Sequence, residues 1–184
     1  VSAMNIRETI ASDMPDLEAL YPAAFPDEEL RPLVRALLEE PADTLSLAAF
    51  TAAKLVGHIV LTRCHVEGSD ANFALLGPLA VLPEHQRTGI GTALVETGVQ
   101  RLRDEGVCSI YVLGDPAYYG RFGFVHEVSV APPYELPEAW ASAWQSLAIS
   151  NGTTTARTAV SGTIAPGAKL QLTATWQRPE LWAP

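Results

Sequence analysis

The sequence predicts an α/β fold in which a mixed sheet carries helices on both faces. Three observations lead there. Apolar runs of strand length alternate with helix-period segments from residue 4 to residue 130, in the order strand, two helices, three strands, helix, strand, helix, strand. One of these runs, residues 107–113, is apolar without alternation, as a strand covered on both faces should be. A third signal is the stretch from Gln86 to Ala93, which joins a strand to a helix through Gly89 and Gly91.

Each element has its own justification. Residues 4–10 read as the first strand. Ser12 or Asp13 caps a helix that opens near Pro15, where the missing N–H of proline costs nothing. Leu30, Leu33, Val34, Leu37 and Leu38 recur at helical period, so a second helix runs up to Pro41. Residues 44–50 and 55–62 are apolar strands separated only by residues 51–54, which marks a hairpin. Residues 66–72 form a polar loop, 73–82 the next strand and 89–105 the central helix. Gly106 stands where a helix C-terminal glycine belongs. Residues 107–113 follow as a strand, 116–122 as a short helix capped by Asp115, and 124–130 as a strand. Past Pro132, Pro133 and Pro137 the pattern changes. Residues 138–149 read as a helix with Trp140 and Trp144 on one face, and residues 150–162 as a loop rich in threonine, glycine and serine. Leu170, Leu172, Ala174 and Trp176 alternate with polar neighbours as a half-buried last strand. All four tryptophans lie in this tail, where they serve either core packing or an acceptor pocket or dimer surface.

Composition narrows the function. With 184 residues, 48% hydrophobic and 18% charged, the chain suits one soluble domain, taken as residues 1–184. No apolar run approaches the ~18–20 residues that span a membrane, and no secretory signal precedes Met4, which reads as a natural start. Cys64 and Cys108 read as reduced thiols, and His58, His65, His85 and His126 lack metal-ligand spacing, so a cytoplasmic protein without a metal is expected. A net charge of −9 argues against nucleic acid as a partner and is compatible with cationic amines.

The turn from Gln86 to Thr92 carries the chemistry. The first turn of a helix leaves N–H groups unpaired at the positive end of its dipole. Gly89 and Gly91 let a phosphate approach the main chain, and Arg87 adds a cation that forks onto phosphate oxygens. The stretch is equally an ordinary strand-to-helix turn. A nucleoside-triphosphate loop is excluded because Gly-Lys occurs nowhere, and a dinucleotide fingerprint because Leu94 stands where a third glycine is required.

Gln86-Arg87-Thr88-Gly89-Ile90-Gly91 resembles the Gln/Arg-x-x-Gly-x-Gly/Ala signature of the GNAT superfamily of acetyl-CoA-dependent N-acetyltransferases. A second block, Val112 to Phe124 with Leu113-Gly114-Asp115-Pro116-Ala117-Tyr118-Tyr119, is similar to the bacterial YhbS-like branch. With Val56-Gly57-His58-Ile59 the resemblance covers about residues 4–131, and residues 132–184 diverge. It implies a GNAT fold: a mostly antiparallel sheet with a splayed central strand, in a bacterial transferase. Leu79, Ala80 and Val81 would lie along the pantetheine arm of acetyl-CoA. A backbone N–H near Leu79 or Ala80 would stabilise the oxyanion. Gln86, Arg87, Thr88, Gly89, Ile90, Gly91 and Thr92 would hold the diphosphate.

The implied reaction is direct attack of a primary amine, on a small molecule or peptide, at the thioester. Tyr119 stands four residues before Gly123, as the family's tyrosine does, and is the candidate acid for the departing thiolate or a hydrogen-bond donor to the sulfur. The base is open. No carboxylate lies between Phe73 and Pro83, a departure from members that carry a glutamate there. His58 is a candidate base or a hydrogen-bonded core residue, Glu28 and Glu29 are alternatives, and a water chain would serve as well. A homodimer is a sensible oligomeric expectation. The rival reading is a non-catalytic acyl-CoA-binding sensor or interaction module.

Overall fold

The computed structural model describes residues 3–150 and 164–182, and all of the loop expected at 150–162 except Ser150 lies outside them. The described residues group into two compact units. One is Val1–Leu61 with Gly77–Arg101, the other Thr62–Leu76 with Leu102–Pro184.

The first unit contains β1 (Asn5–Glu8), α1 (Met14–Ala24), α2 (Arg31–Leu38), β2 (Thr44–Thr51), the start of β3 (Lys54–Val66), the end of β4 (Phe73–Val81) and most of α3 (Ile90–Asp104). β1 pairs antiparallel with β2, and the sheet continues through β3 to β4. The expected hairpin closes between β2 and β3 on Ala52 and Ala53, with φ of 49° and 63°. Two successive left-handed residues make the turn whose twist matches the strands it joins.

Adjacent residues of β3 look to opposite faces. Gly57 faces α3: a Cβ there would stand 2.9 Å from Ile90 and 3.0 Å from Leu94. His58 faces α1 through Tyr21. Helices thus cover both faces, as the sequence predicts. Gly57→Ala is expected to lose about 1–3 kcal/mol of stability by overpacking α3 against the strand, read as a shifted urea midpoint at constant m.

The helix α1 starts one residue before Pro15, but Asp13 does not cap it by a side-chain bond. Its carboxylate accepts from Ile10 N–H at 2.8 Å and pairs with Arg7 at 2.7 Å instead. At the far end of α3, Gly106 takes φ of 81°, and Val107 N–H returns to Leu102 C=O at 3.0 Å. That is the glycine stop expected from the sequence.

The second unit holds the start of β4, β5 (Ser109–Leu113), α4 (Pro116–Tyr119), β6 (Val125–His126), β7 (Val130–Ala131), β8 (Trp144–Ala148) and β9 (Ala168–Gln171). β4 and β5 pair in parallel from Phe73↔Ser109 to Leu76↔Val112. β8 pairs antiparallel with β5 on one side and β6 on the other. β9 pairs with β3 and β7. The fold is therefore mixed α/β with a mostly antiparallel sheet.

The tail corrects the expected helix at 138–149. Glu138–Ala143 is a 3-10 turn, and Trp144–Ala148 is a strand. The i, i+4 tryptophan spacing favoured a helix, but pairing with β5 and β6 satisfies the backbone and buries Trp144. The expected strand at 124–130 shortens to two residues at each end, and Ala174–Trp176 turns instead of extending β9.

Core packing is the role of three tryptophans. Trp144, Trp176 and Trp182 are all buried. Trp182 meets Trp144 edge-on at 6.0 Å and Trp176 at 6.1 Å. Every indole N–H of the three has an acceptor: Val130 C=O at 2.8 Å, Thr62 Oγ1 at 2.9 Å and Trp176 C=O at 3.0 Å respectively. Such rings bury large area only if the N–H stays bonded.

Candidate active site

The turn from β4 into α3 has the geometry of an anion cradle. After Val81 a short 3-10 turn, Pro83–His85, brings the chain to Gln86. Gln86 Nε2 donates back to Val81 C=O at 3.1 Å, and Thr88 Oγ1 to His85 C=O at 2.6 Å. These side chains brace the turn from behind. Arg87 takes φ of 59° and Gly89 φ of 92°. Left-handed residues in such a turn aim successive amides at one concave point. Ala93 N–H donates to Gly89 C=O at 2.9 Å as the first rung of α3, so the amides of Ile90 and Gly91 precede the ladder. Among the described residues, its chain neighbours aside, nothing lies within 4 Å of where a Gly89 Cβ would be. Arg87, Thr88 and Gly89 are exposed, whereas Ile90 is buried, its side chain packed towards Gly57. A diphosphate fits this arrangement.

Upstream, Leu82 N–H donates to Val56 C=O at 2.9 Å. That bond ties the end of β4 to β3. Ala80 is buried in a cluster with Leu17, Leu20, Tyr21, Val34, Ala48 and Leu55. Leu79 and Val81 remain partly exposed. The ladder of β4 with β5 ends at Leu76, and β4 goes on through Gly77–Val81. Pro78 has no N–H to give to a neighbouring strand.

His58 is a core residue. It is fully buried, with Tyr21 Oη on Nδ1 and Ser46 Oγ on Nε2, each at 2.7 Å. Thr9 Oγ1 extends the chain by donating to Ser46 Oγ at 2.7 Å. Both nitrogens are occupied, and burial pushes the imidazole down to about 3, against a smaller upward pull from Asp13. Neutral imidazole is therefore built into the fold at pH 7.

The pH consequence follows in sign. An unfolded histidine takes a proton near 6.5, whereas the folded one resists until about 3. The stability held above pH 6.5 is lost as pH falls, by about 3 kcal/mol at pH 4. Asp13, held below its ordinary range mainly by its hydrogen bond to Arg7, is lost only at lower pH. Urea unfolding at pH 7 and pH 4.5 should show a smaller fall for His58→Gln than for the wild-type protein, though the variant starts less stable.

Glu29 is exposed and hydrogen-bonded to Arg31 at 2.7 Å, which lowers its carboxyl to about 2. So low a pKa makes a weak base.

In the second unit, Asp115 caps α4 by accepting from Ala117 N–H at 2.9 Å. Tyr119, the last residue of α4, meets Tyr118 edge-on at 5.0 Å and Phe124 edge-on at 5.6 Å. Its ring lies on the main chain of Gly114: a Cβ there would stand 2.4 Å from Tyr119 Cε2. Among the described residues the Tyr119 hydroxyl has no hydrogen-bond partner. Burial raises the phenol above its ordinary value, with a smaller push from Tyr118. The Arg121 guanidinium stacks 4.1 Å from the Tyr118 ring.

Cys64 and Cys108 are both free thiols, and among the described residues no cluster of histidine, cysteine and carboxylate side chains has metal-binding geometry. Among the described residues no helix is long and apolar enough to cross a membrane.

A braced turn at a helix start, fed by a strand that outruns its partner, suits a coenzyme-A-dependent acyltransferase. The comparisons agree. The acetyltransferase (GNAT) family pattern matches residues 14–124, and the chain belongs to this family. The chain is 36% identical to the uncharacterised N-acetyltransferase YjhQ of Escherichia coli K12 over 143 residues, 74% of this chain and 79% of that protein. It is 34% identical to the uncharacterised N-acetyltransferase YhbS of the same strain over 122 residues, 66% of this chain and 73% of that one. The crystal structure of Escherichia coli YhbS with coenzyme A superposes with a TM-score of 0.80 at 26% identity, covering 97% of this chain and 94% of that one. A Brucella melitensis GNAT acetyltransferase with acetyl-CoA superposes with a TM-score of 0.72 at 27% identity, covering 96% and 100%. The protein is an N-acetyltransferase, and acetyl-CoA is its co-substrate.

Sequence reasoning singled out the loop, the strand and Tyr119. It missed the partners of His58, because Tyr21 and Ser46 have no spacing relation to it. It also missed Gln145, which sits in the segment read as a helix.

Proposed function

We propose that the protein transfers the acetyl group of acetyl-CoA to a primary amine, on a small molecule or peptide, by direct attack. What carries the reading is the left-handed turn at Arg87 and Gly89, with the amides of Ile90 and Gly91 ahead of the α3 ladder, in a chain of this family. The thioester supplies an acetyl carbon already activated toward amines. In this scheme the turn from Gln86 to Thr92 binds the diphosphate, with Arg87 as its cation. The main chain of Leu79, Ala80 and Val81 pairs with the pantetheine amides, and an N–H at Leu79 or Ala80 stabilises the oxyanion.

The amine nitrogen bonds to the carbonyl carbon, the C–S bond breaks, and the nitrogen gives one proton to solvent. Tyr119 donates its O–H to the thiolate and regains a proton from solvent. A thiol near ~8.5 lies below any tyrosine, so the donation is uphill and accompanies C–S cleavage. His58 is not assigned proton transfer with the amine in this scheme, because both of its nitrogens are bonded inside the core. Water takes that proton.

Thiol release from acetyl-CoA, followed against small amines, amino acids, polyamines, aminoglycosides and peptide N-termini, tests the reading. Saturable release with at least one amine class supports it. Tight coenzyme A binding with no turnover on any class would leave a binding module in place of the enzyme.

A further inference from the structure

A residue of the divergent tail reaches the main chain on which Tyr119 rests. Gln145 is 2% exposed and occupies β8 between two partners, with Val112 of β5 opposite on one side and His126 of β6 on the other. Its backbone is therefore anchored from both directions. Its Nε2 donates to Gly114 C=O at 3.0 Å and, more weakly, to Ala143 C=O at 3.4 Å. Gly114 N–H donates to the same Ala143 C=O at 3.0 Å. Both polar groups of Gly114 are thus tied to the start of β8. The Tyr119 ring rests against this main chain with no room for a methyl group between them.

We infer that Gln145 is a positioning residue for Tyr119, acting through Gly114. β5 ends at Leu113, so Gly114 is the first residue free of the ladder and needs a separate tether. A buried amide spent on a loop carbonyl has an alternative cost: without the donor, Gly114 C=O is left short of a partner. The glycine is required because any side chain would displace the ring. The tail thereby contributes a placed surface for the tyrosine as well as core. The catalytic consequence rests on the proposed role of Tyr119, while the geometric part does not.

The test uses the full chain with ring-labelled tyrosine. Gln145→Met keeps length and volume and removes both amide donors. Gly114→Ala attacks the same contact from the other side, should the first variant fold poorly. The Tyr119 carbon resonance is assigned by its loss in Tyr119→Phe. In Gln145→Met and Gly114→Ala it is expected to move and broaden, while that of Tyr21, remote in sequence and held by His58, stays in place. With an amine that the wild-type protein accepts, kcat is expected to fall about 10- to 100-fold, as small displacements of a reacting group do. The calorimetric Kd for coenzyme A should remain within about twofold. In the Tyr119→Phe background, Gln145→Met should lower kcat no further. An unmoved Tyr119 resonance in a folded Gln145→Met protein overturns the positioning role. A moved resonance, with kcat unchanged in both Gln145→Met and Tyr119→Phe, keeps the positioning and removes the acid.

Discussion

Tyr119→Phe is expected to lower kcat for acetyl transfer by about 10²–10³-fold, with the Kd for coenzyme A within about twofold of wild type. The substitution removes one hydroxyl and leaves the ring on Gly114, between Tyr118 and Phe124. In the proposed scheme binding rests on the amides of the phosphate turn and on β4, which the change does not touch. Among the described residues the hydroxyl has no hydrogen-bond partner to lose, so little stability should go with it. A general acid must hold its proton, and activity falls as pH rises through its pKa. Burial raises this phenol above its ordinary 10, so that fall lies above the neutral range. From pH 6 to 9 the wild-type rate should show no loss assignable to Tyr119, and the variant should be uniformly slower. Initial rates of thiol release across that range decide the matter. A variant with wild-type kcat would remove the acid role and leave Tyr119 as packing.

The reason Tyr119 was legible from sequence while Gln145 was not is physical. Tyr119 belongs to a local block, in which Asp115 caps the helix, Pro116 opens it and Gly123 ends it at φ of 92°. Local spacing encodes local geometry, so the block reads without a fold. Gln145 acts across a span of 31 residues, and nothing nearby marks its amide as special. The same divide separates the two histidine readings. An apolar strand around His58 announces burial, yet Tyr21 and Ser46 reach it from 37 and 12 residues away.

Secondary structure followed the same rule. The hairpin at Ala52-Ala53, the glycine stop at Gly106 and the helix α3 are set by short-range chemistry and were all expected. The segment at 144–148 was misread because its tryptophan spacing suits a helix, while pairing with β5 and β6, both distant in sequence, made it a strand. Where long-range pairing decides an element, local periodicity misleads.

Arg87→Glu is expected to raise the Kd for coenzyme A about 100-fold, and Arg87→Gly about tenfold. One decade is about 1.4 kcal/mol, the lower range for a hydrogen bond to a charged group, and suits an exposed guanidinium on a diphosphate. Reversal adds repulsion of about 1 kcal/mol or more at a few ångströms in a watery setting. The glycine variant separates charge from shape. Arg87 sits at φ of 59°, a region that costs a residue with a Cβ about 1–2 kcal/mol and costs glycine nothing. Arg87→Gly should therefore fold at least as stably as wild type while binding less well, since the amide turn keeps its form. Salt supplies a further check. The gap between wild type and Arg87→Glu should narrow several-fold between about 0.05 M and 0.5 M ionic strength, because exposed charges are screened over such distances. Calorimetric titration of coenzyme A into the three proteins reads the affinities, and urea unfolding reads the stability of Arg87→Gly. Equal affinities would take Arg87 out of the site and leave the diphosphate to the helix amides alone.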